Sequence, residues 1–220
     1  MEARYRTDYP GEFVVLNTVW RDGKKVQDRE WIVNPIDNQH LSHRAVCVNT
    51  YTDLTKFDYT RLERHRGGLL GSKKVQTYGS AVIAEKMRLD FAVDLDLEKL
   101  ERLIESGYSA KNIVYTSPRN CITFPGEFYL VPYGHRALTD TLSVYLAAFD
   151  GHEEIFLLGY NKETPVGSPR WIDEMADVFA SYGGTKFFLV GEPTQMPDEW
   201  LNLPNVKSQT VREWVSYCDV

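Results

Sequence analysis

The sequence has few cysteines, no long hydrophobic run and no excess of positive charge. Its three cysteines, Cys47, Cys121 and Cys218, are widely spaced and form no C-x-x-C or cysteine–histidine pattern. This predicts reduced thiols in a cytoplasmic protein rather than a disulfide framework. No run approaches the roughly 18 apolar residues of a membrane span, and the charged amino terminus lacks the apolar core of a signal peptide. We therefore expect a cytoplasmic protein with no membrane partner.

The glycine-rich signatures of three large enzyme classes are absent. There is no G-x-G-x-x-G after the first predicted strand, no G-x-x-x-x-G-K-[ST] and no G-x-S-x-G. These motifs let backbone amides approach a dinucleotide or a phosphate, or they expose a nucleophilic serine. Their absence disfavours a dinucleotide oxidoreductase, a P-loop enzyme and a hydrolase with a serine elbow.

Acidic residues outnumber basic ones by 31 to 25, which gives a formal net charge of −6. This balance disfavours a broad surface for nucleic acid or anionic membranes. A nucleic-acid partner is therefore not expected, although a local basic pocket is compatible with the composition. At 220 residues, of which 43% are hydrophobic, the chain is long enough to bury one sizeable core.

Short apolar runs alternate with helical patterns from residue 44 onward. Residues 128–161 predict a strand, a polar loop, an amphipathic helix and a second strand, which is the order of a right-handed parallel crossover. The predicted fold class is therefore α/β, a Rossmann-like and mostly parallel sheet with helices on both faces. The predicted strands cover 45–48, 74–77, 89–93, 112–115, 155–158 and 187–190, and the predicted helices cover 58–65, 97–106, 138–149 and the segments after Ser168 and Thr210.

Local signals place the ends of three helices. Asp96 is a predicted N-cap, and Gly107 follows the end of the same helix. Ser168, followed by proline, opens a second helix. Thr210 and Glu213 form a predicted capping box for a third.

Residues 1–43 are more polar than the rest and predict an N-terminal arm or hairpin, packed on a single domain of residues 44–220. Runs at 13–20 and 30–33 predict the hairpin, with a turn at 21–24. Two roles fit such an arm, dimerisation and cover for the edge of the sheet. A homodimer is therefore one predicted assembly.

Polar residues follow several of the predicted strands. In a parallel sheet these positions meet at one edge, where open α/β sheets bind ligands. Their convergence predicts a small-molecule site. The residues concerned are Asn49, Thr50, Gln76, Tyr78, Gly79, Ser117, Arg119, Asn120, Tyr160 and Asn161.

The loop before the helix at 138–149 carries three groups suited to a phosphate or carboxylate. Arg136 offers a bidentate guanidinium, Tyr133 a neutral donor, and His135 a group that titrates near neutral pH. The helix amino terminus adds partial positive charge. A plain surface turn explains the same residues equally well. The remaining histidines show no ligand spacing and are predicted to be solvated: His40, His43, His65 and His152.

Asp94 and Asp96 form a D-x-D pair at the end of a predicted strand. Two carboxylates at this spacing suit a divalent cation that carries a diphosphate. Asp96 has a sufficient role as a helix cap, and that role is favoured. Asp94 is the freer of the two, and at this edge of the sheet it would serve as a general base or accept from a ribose hydroxyl.

A resemblance to a known family spans residues 44–161. It is carried by the segments KFDYTRLERHRGG, QTYGS, LDFAVDLD and EIFLLGYN, which resemble the sialyltransferase-like glycosyltransferases found in bacteria and encoded by tailed phages. The resemblance implies a nucleotide-sugar donor, tyrosines on its phosphate and a histidine base, frequently without a metal. Tyr129 and Tyr133 match the phosphate-binding tyrosines. Residues 49–52 stand where the family has a Gly-Asn-Gly turn.

The resemblance implies a glycosyltransferase that moves a sugar from a nucleotide sugar to a hydroxyl acceptor. Arg119, Tyr133 and Arg136 would neutralise phosphate charge on the leaving nucleotide. No histidine follows the LLGYN turn, so Asp94 or His135 would take the acceptor proton. The nucleotide sugar is the expected co-substrate, no cofactor is expected, and a metal-free reaction is favoured over one assisted by a divalent cation. Polysaccharide, small metabolite and modified DNA base stay open as acceptors.

The missing glycine turn and the missing downstream histidine also support a second hypothesis. In it the chain is a non-catalytic protein that binds a nucleotide in order to sequester or sense it. A structural or assembly protein on an inherited fold is a third. If the chain is phage-encoded, the expected location is the host cytoplasm.

Overall fold

An antiparallel sheet of three strands opens the chain. Strands β1 (Glu2–Tyr5), β2 (Glu12–Arg21) and β3 (Lys24–Val33) pair in that order. They belong to a computed structural model that describes residues 2–5, 12–33, 43–56, 62, 75–132, 136–162 and 168–218.

The turn between β2 and β3 explains how the hairpin forms. Asp22 and Gly23 have φ angles of 51° and 74°, both in the left-handed region that a tight two-residue hairpin turn uses. The predicted hairpin is confirmed, but its second strand begins at Lys24 and not at residue 30. The sequence pattern missed this part because the pairing continues through residues with no apolar alternation. That residues 1–43 pack on the rest of the chain stays a prediction.

Among the described residues, eight parallel strands form the main sheet. They are β4 (Arg44–Val48), β5 (Gln76–Ser80), β6 (Phe91–Val93), β7 (Ile113–Thr116), β8 (Tyr129–Leu130), β9 (Glu154–Leu158), β10 (Lys186–Val190) and β11 (Val206–Gln209). In space they follow the order β11-β10-β9-β4-β5-β6-β7-β8, and every neighbouring pair is parallel.

Helices lie between most of these strands. They are α1 (Ala81–Ala84), α2 (Leu97–Glu105), α3 (Pro118–Thr123), α4 (Thr139–Phe149), α5 (Pro169–Ser181), α6 (Asp198–Leu201) and α7 (Val211–Cys218), with 3-10 turns at Leu54–Lys56 and Pro193–Gln195. The alternation of strand and helix confirms the predicted α/β, Rossmann-like class.

The core has two layers, one on each face of the sheet. Successive side chains of a strand point to opposite faces, and β4 shows this clearly. Ala45 and Cys47 pack in the cluster that contains α4 and α5, whereas Val46 and Val48 pack in the cluster that contains α1 and α2. All four residues are fully buried, as a parallel sheet covered on both faces requires.

Helix α4 is more deeply buried than an amphipathic pattern predicts. All of residues 140–148 are buried, because α4 lies across β4, β5 and β9 and is itself packed against α5. The prediction that this helix is amphipathic is therefore wrong for residues 140–148. A helix that is enclosed on nearly all sides has apolar or small side chains around its whole circumference.

Two sequence predictions of element position need correction or fall outside the described residues. The strand predicted at 74–77 is Gln76–Ser80, because glycine and serine, which are uncommon in strands, form its last two positions. Of the helix predicted at 58–65, only Leu62 is described, and it is helical. The other positions of that helix lie outside the described residues.

The predicted helix ends are confirmed. Asp96 accepts hydrogen bonds from the first turn of α2, and Gly107 leaves that helix with a φ of 70°. Ser168 caps α5, and Thr210 and Glu213 bond each other reciprocally before α7. These signals work because each depends only on residues next to it in the chain.

Candidate active site

The order of the strands creates a crevice at the carboxyl ends of β4 and β9. From β4 the chain adds β5 to β8 on one side, and it then returns through α4 to place β9 on the other side. Open α/β sheets bind ligands at such a switch point. Thr50, Ser80, Asp94 and Asp140 lie here, and we call these four residues the switch-point site.

Asp140 lies in the first turn of α4 and is held by Thr50. The backbone N–H of Thr50 donates to Asp140 Oδ1 at 2.8 Å, and the Thr50 hydroxyl lies 2.9 Å from the same oxygen. The Thr50 hydroxyl is also 2.8 Å from the Ser80 hydroxyl. Because Thr50 has one hydroxyl proton and an ionised carboxylate only accepts, Thr50 donates to Asp140 and accepts from Ser80.

Burial makes Asp140 an unusually basic carboxylate. The residue is 3% exposed. Burial raises its pKa to about 6, opposed by the Thr50 hydrogen bonds and by Lys99 and reinforced by the charge of Asp94. Its second oxygen, Oδ2, receives no hydrogen bond from any described residue. Asp140 thus has one oxygen fixed and one available to take a proton near neutral pH.

Asp94 also lies in the site, with both of its oxygens already bonded. Oδ1 accepts from the backbone of Leu95 at 2.9 Å and of Asp96 at 3.1 Å, and Oδ2 accepts from the backbone of Ala81 at 3.3 Å. Burial raises the pKa of Asp94, while these bonds and Lys99, 3.9 Å away, lower it. The carboxylate joins the ends of two strand–helix turns, which makes it a positioning group rather than a free base.

The turn after β4 is built by side chains instead of glycine. Asn49 Oδ1 accepts from the backbone N–H of Tyr51 at 2.9 Å, and Thr52 Oγ1 donates to the carbonyl of Leu158 at 2.9 Å. Gly159 has a φ of +76°, and a Cβ there would lie 2.1 Å from Thr52 Oγ1. The turns after β4 and β9 are therefore in direct contact, which fills part of the crevice between them.

Asn49 is one of the predicted binding residues, and its amide nitrogen has an unusual environment. The residue is fully buried, and Nδ2 has no hydrogen-bond partner among the described residues. Buried amide groups are nearly always paired. The structure therefore places Asn49 at the predicted edge with one donor unused.

The predicted residues after β9 take different positions. Tyr160 is fully buried, donates to the backbone carbonyl of Asp140 at 3.1 Å and stacks on Trp171 with ring centroids 6.2 Å apart. This hydrogen bond stabilises the first turn of α4, which carries Asp140. Asn161, the next residue, is half-buried.

The predicted residues after β7 form a neighbouring turn. Ser117 caps α3, and the amide of Asn120 donates to the backbone of Leu95 at 3.1 Å and to Thr116 Oγ1 at 2.9 Å. Asn120 therefore joins this turn to the one after β6. Arg119 is exposed, so its guanidinium lies at the rim of this edge.

Gln76 and Tyr78 do not lie at the carboxyl edge. Gln76 begins β5, at the opposite end of the sheet. Tyr78 is fully buried under α4, where its hydroxyl lies 2.6 Å from Asp150 Oδ2 and 2.9 Å from His152 Nε2. Both residues were predicted at the carboxyl edge because the sequence pattern ended this strand at residue 77, whereas the strand runs from Gln76 to Ser80. The prediction that His152 is solvated is also wrong, because His152 is fully buried.

Gly79 has a packing reason for being glycine. A Cβ at this position would lie 3.0 Å from Leu89 Cδ1 and 3.2 Å from the carbonyl oxygen of Val48. The neighbouring strand and side chain leave no room for a larger residue. Its conformation is set by the sheet and gives no separate indication of a ligand.

The loop before α4 is described only in part. Arg136 is exposed and lies at a cleft of about 510 Å³ between α4 and α5, and none of the four residues of the switch-point site lines that cleft. The other residues of this cleft that carry polar groups are Tyr145, Glu174, Asp177, Ser181 and Tyr182. His43 is exposed, as predicted. Tyr133, His135, His40 and His65 lie outside the described residues.

Asp140 is the residue that sequence reasoning missed. In the sequence it is an acidic residue in the first turn of a helix, which normally indicates a solvated group that complements the helix dipole. The composition of the next eight residues could have indicated that Asp140 is buried, because all of them are apolar except one threonine and one serine. A carboxylate at the start of an enclosed helix is forced into the core with it.

Neither a metal centre nor a similarity to known proteins identifies the ligand of this site. Among the described residues, no group of three or more histidine, cysteine, aspartate or glutamate residues is placed to hold a metal ion. In the same part of the chain, no helix has the length and apolar character needed to cross a membrane. No protein-family model, no curated protein and no solved structure matches the sequence.

Proposed function

We propose that this protein is a glycosyltransferase, resembling the sialyltransferase-like enzymes of bacteria and tailed phages, that transfers a sugar from a nucleotide sugar to a hydroxyl acceptor. One observation supports it above the others. Asp140 is a buried carboxylate at the switch point of a Rossmann-like sheet, its pKa is about 6, and its Oδ2 atom receives no hydrogen bond from the described residues. Perturbed titratable groups in such positions favour catalysis.

The proposed reaction assigns the base to Asp140 instead of Asp94 or His135. Asp140 Oδ2 takes the proton of the acceptor hydroxyl, and the acceptor oxygen forms a bond to the anomeric carbon of the sugar. The bond from that carbon to the phosphate oxygen breaks, and the nucleotide leaves with the electron pair. A carboxylate with a pKa of about 6 is ionised at pH 7 yet still basic enough to share the proton in the transition state.

The cationic groups for the leaving phosphate lie outside the switch-point site in this proposal. Lys99 is compensated by two carboxylates, at 3.9 Å from both Asp94 and Asp96. Arg119 at the rim is exposed and remains the proposed phosphate contact. Arg136 and Tyr133 keep their proposed roles only if the donor extends toward the loop before α4.

A second candidate function, nucleotide binding without catalysis, is favoured by the closed turn after β4. The contact between Thr52 and Gly159 occupies space that a glycine turn would leave for a diphosphate. A protein that sequesters or senses a nucleotide needs affinity but no base. The two functions therefore differ in whether loss of the Asp140 carboxylate lowers turnover, or affects only the stability of the protein.

The test is release of free nucleotide from a panel of UDP-, GDP- and CMP-sugars, measured with and without simple sugar acceptors. We expect Asp140→Asn to lower turnover roughly 10²–10⁴-fold, the usual contribution of a general base, with nucleotide-sugar affinity retained. Asp173→Asn is the matched control, because Asp173 is an exposed carboxylate on α5 and its change should leave turnover as in the wild type.

Two other outcomes decide against the enzyme. Binding of a nucleotide sugar that is recovered intact, unaffected by Asp140→Asn, would replace transfer with sequestration or sensing. Neither binding nor turnover with any of these donors would contradict both functions and leave a structural role on an inherited fold. Binding is measured by the rise in Tm that a ligand selective for the native state produces.

A further inference from the structure

The end of the β2–β3 hairpin carries a local positive charge. We call residues 20–26 the ribbon tip. It contains Arg21, Lys24 and Lys25 and one carboxylate, Asp22, and every residue of it is exposed. The chain as a whole has a net charge of −6, so the ribbon tip is a basic segment in an acidic protein. Such a segment attracts an anionic partner even where the overall composition does not.

The ribbon tip also presents an indole to solvent. Trp20 is 68% exposed, the largest value among the large hydrophobic side chains of the described residues. Lys25 Nζ lies 5.6 Å from the centroid of its ring, and a cation–π contact at an exposed site is weak. Burial of the indole would be favourable, and at this position only a partner can provide it.

The hairpin projects as a ribbon of two strands. Strand β1 pairs with residues 13–16 of β2, whereas β2 and β3 stay paired as far as Arg21 and Lys24. Five residue pairs, from Asn17 with Asp28 to Arg21 with Lys24, therefore lie beyond the third strand. At about 3.4 Å per residue they extend roughly 17 Å. The major groove of B-DNA, about 12 Å wide, admits a two-stranded ribbon.

The basic side chains lie on both faces of the ribbon. Directly paired residues of an antiparallel ladder share a face, and successive residues alternate between faces. Trp20 and Lys25 therefore lie on one face, and Arg21 and Lys24 lie on the other. A groove of duplex DNA has phosphates along both of its walls, so it meets both faces. The surface of an anionic membrane is flat and would meet only one of them.

We propose that the ribbon tip binds double-stranded DNA by entering its major groove. The three cations contact phosphates on the two walls, and the indole of Trp20 packs against base edges, where the thymine methyl group offers an apolar contact. Duplex RNA is a poorer fit, because its major groove is too deep and narrow for side chains to read. The proposal is independent of the glycosyltransferase reaction, since it uses no residue of the switch-point site.

The test is fluorescence anisotropy of a short labelled DNA duplex of mixed sequence, titrated with the full chain at several salt concentrations. Three phosphate contacts predict that an increase in salt of about fourfold weakens binding roughly 40-fold. In the double variant Lys24→Ala/Lys25→Ala one contact is left, and the same increase should weaken binding only about 3-fold. Trp20→Ala should raise Kd with the wild-type salt dependence, because the indole is uncharged.

The matched control is the double variant Lys86→Ala/Lys111→Ala. Both lysines are exposed and lie outside the hairpin, so this variant removes the same charge and should keep the wild-type Kd and salt dependence. All of the substituted side chains are exposed, and an unchanged Tm verifies that each variant is folded.

Four outcomes overturn the proposal. They are no binding of the duplex, tighter binding of a single strand of the same sequence, equal weakening by the control variant, and binding of phosphatidylserine vesicles in place of DNA.

Discussion

At the scale of single residues, Thr50 controls how readily Asp140 takes a proton. The Thr50 hydroxyl donates to Asp140 Oδ1, and hydrogen bonds to an ionised carboxylate lower its pKa. In Thr50→Val the hydroxyl is lost, so the pKa of Asp140 should rise above its value of about 6. Because the base must be deprotonated, the acid limb of the pH–rate profile should move to higher pH.

The Thr50 prediction is checked without any substrate by carboxyl-carbon NMR titration of Asp140. Thr50→Ser keeps the hydroxyl and should keep the wild-type midpoint. Asp150, which is buried at the other end of α4, serves as an internal reference that should not move. A midpoint in Thr50→Val at or below the wild-type value would show that the hydroxyl does not act on Asp140.

Gly159 offers a second prediction at this scale, because it combines a left-handed backbone with a close contact. Its φ is +76°, and a Cβ would meet Thr52 Oγ1 at 2.1 Å. Gly126 has a φ of +84° with nothing within 4 Å, so Gly126→Ala isolates the backbone effect of about 1–2 kcal/mol. Gly159→Ala should lower the free energy of unfolding by clearly more. Equal losses in urea unfolding would mean that the contact with Thr52 relaxes without strain.

At the scale of elements, the sequence predicted the features that depend on neighbouring residues in the chain. It missed the features that depend on contacts between distant parts of the chain. Asp96, Gly107 and Ser168 were placed correctly because a cap depends on the next few residues. Strand β5 was displaced because its last positions are glycine and serine, which only the neighbouring strands make extended. Asp140 was missed for the same reason, since Thr50 is 90 positions away from it in the chain.

The N-cap of α2 carries the prediction that belongs to this scale. Asp96 accepts hydrogen bonds from the backbone of Glu98 at 3.0 Å and of Lys99 at 3.4 Å. Asp96→Ala removes both acceptors and should lower the free energy of unfolding by about 1 kcal/mol. Asp96→Ser keeps a capping oxygen and should recover most of the loss. Glu98→Ala, an exposed change in the same turn, is the control, and a loss as large as that of Asp96→Ala would contradict the capping account.

At the scale of the whole molecule, one helix connects two buried carboxylates at opposite edges of the sheet. Asp140 begins α4 at the switch point, and Asp150 ends it beside Tyr78. Alternation of strand and helix predicted the crossover that places α4 here, and with it the location of the crevice. The burial of both ends was not predictable, because it follows from α4 lying under α5 as well as on the sheet.

The two carboxylates make stability depend on pH in an unusual direction. Burial raises the pKa of both Asp140 and Asp150 from 3.8 to about 6, so between these values the folded state binds more protons than the unfolded state. Their contribution to stability is complete below pH 3.8 and is lost as pH rises through 6. A shift of about two units corresponds to roughly 3 kcal/mol for each group.

We therefore expect the free energy of unfolding to increase as the pH is lowered from 7.5 to about 5. In many proteins the free energy of unfolding is instead at a broad maximum across this pH range. Urea unfolding at a series of pH values measures it. Asp140→Asn and Asp150→Asn should each flatten part of the slope, because an amide cannot ionise, and the double variant should flatten most of it. Asp173→Asn, on the exposed face of α5, should keep the wild-type slope. A stability that stays constant or rises between pH 5 and 7.5 would mean that both carboxylates are better solvated than their burial indicates, and it would remove the physical basis for Asp140 as a base.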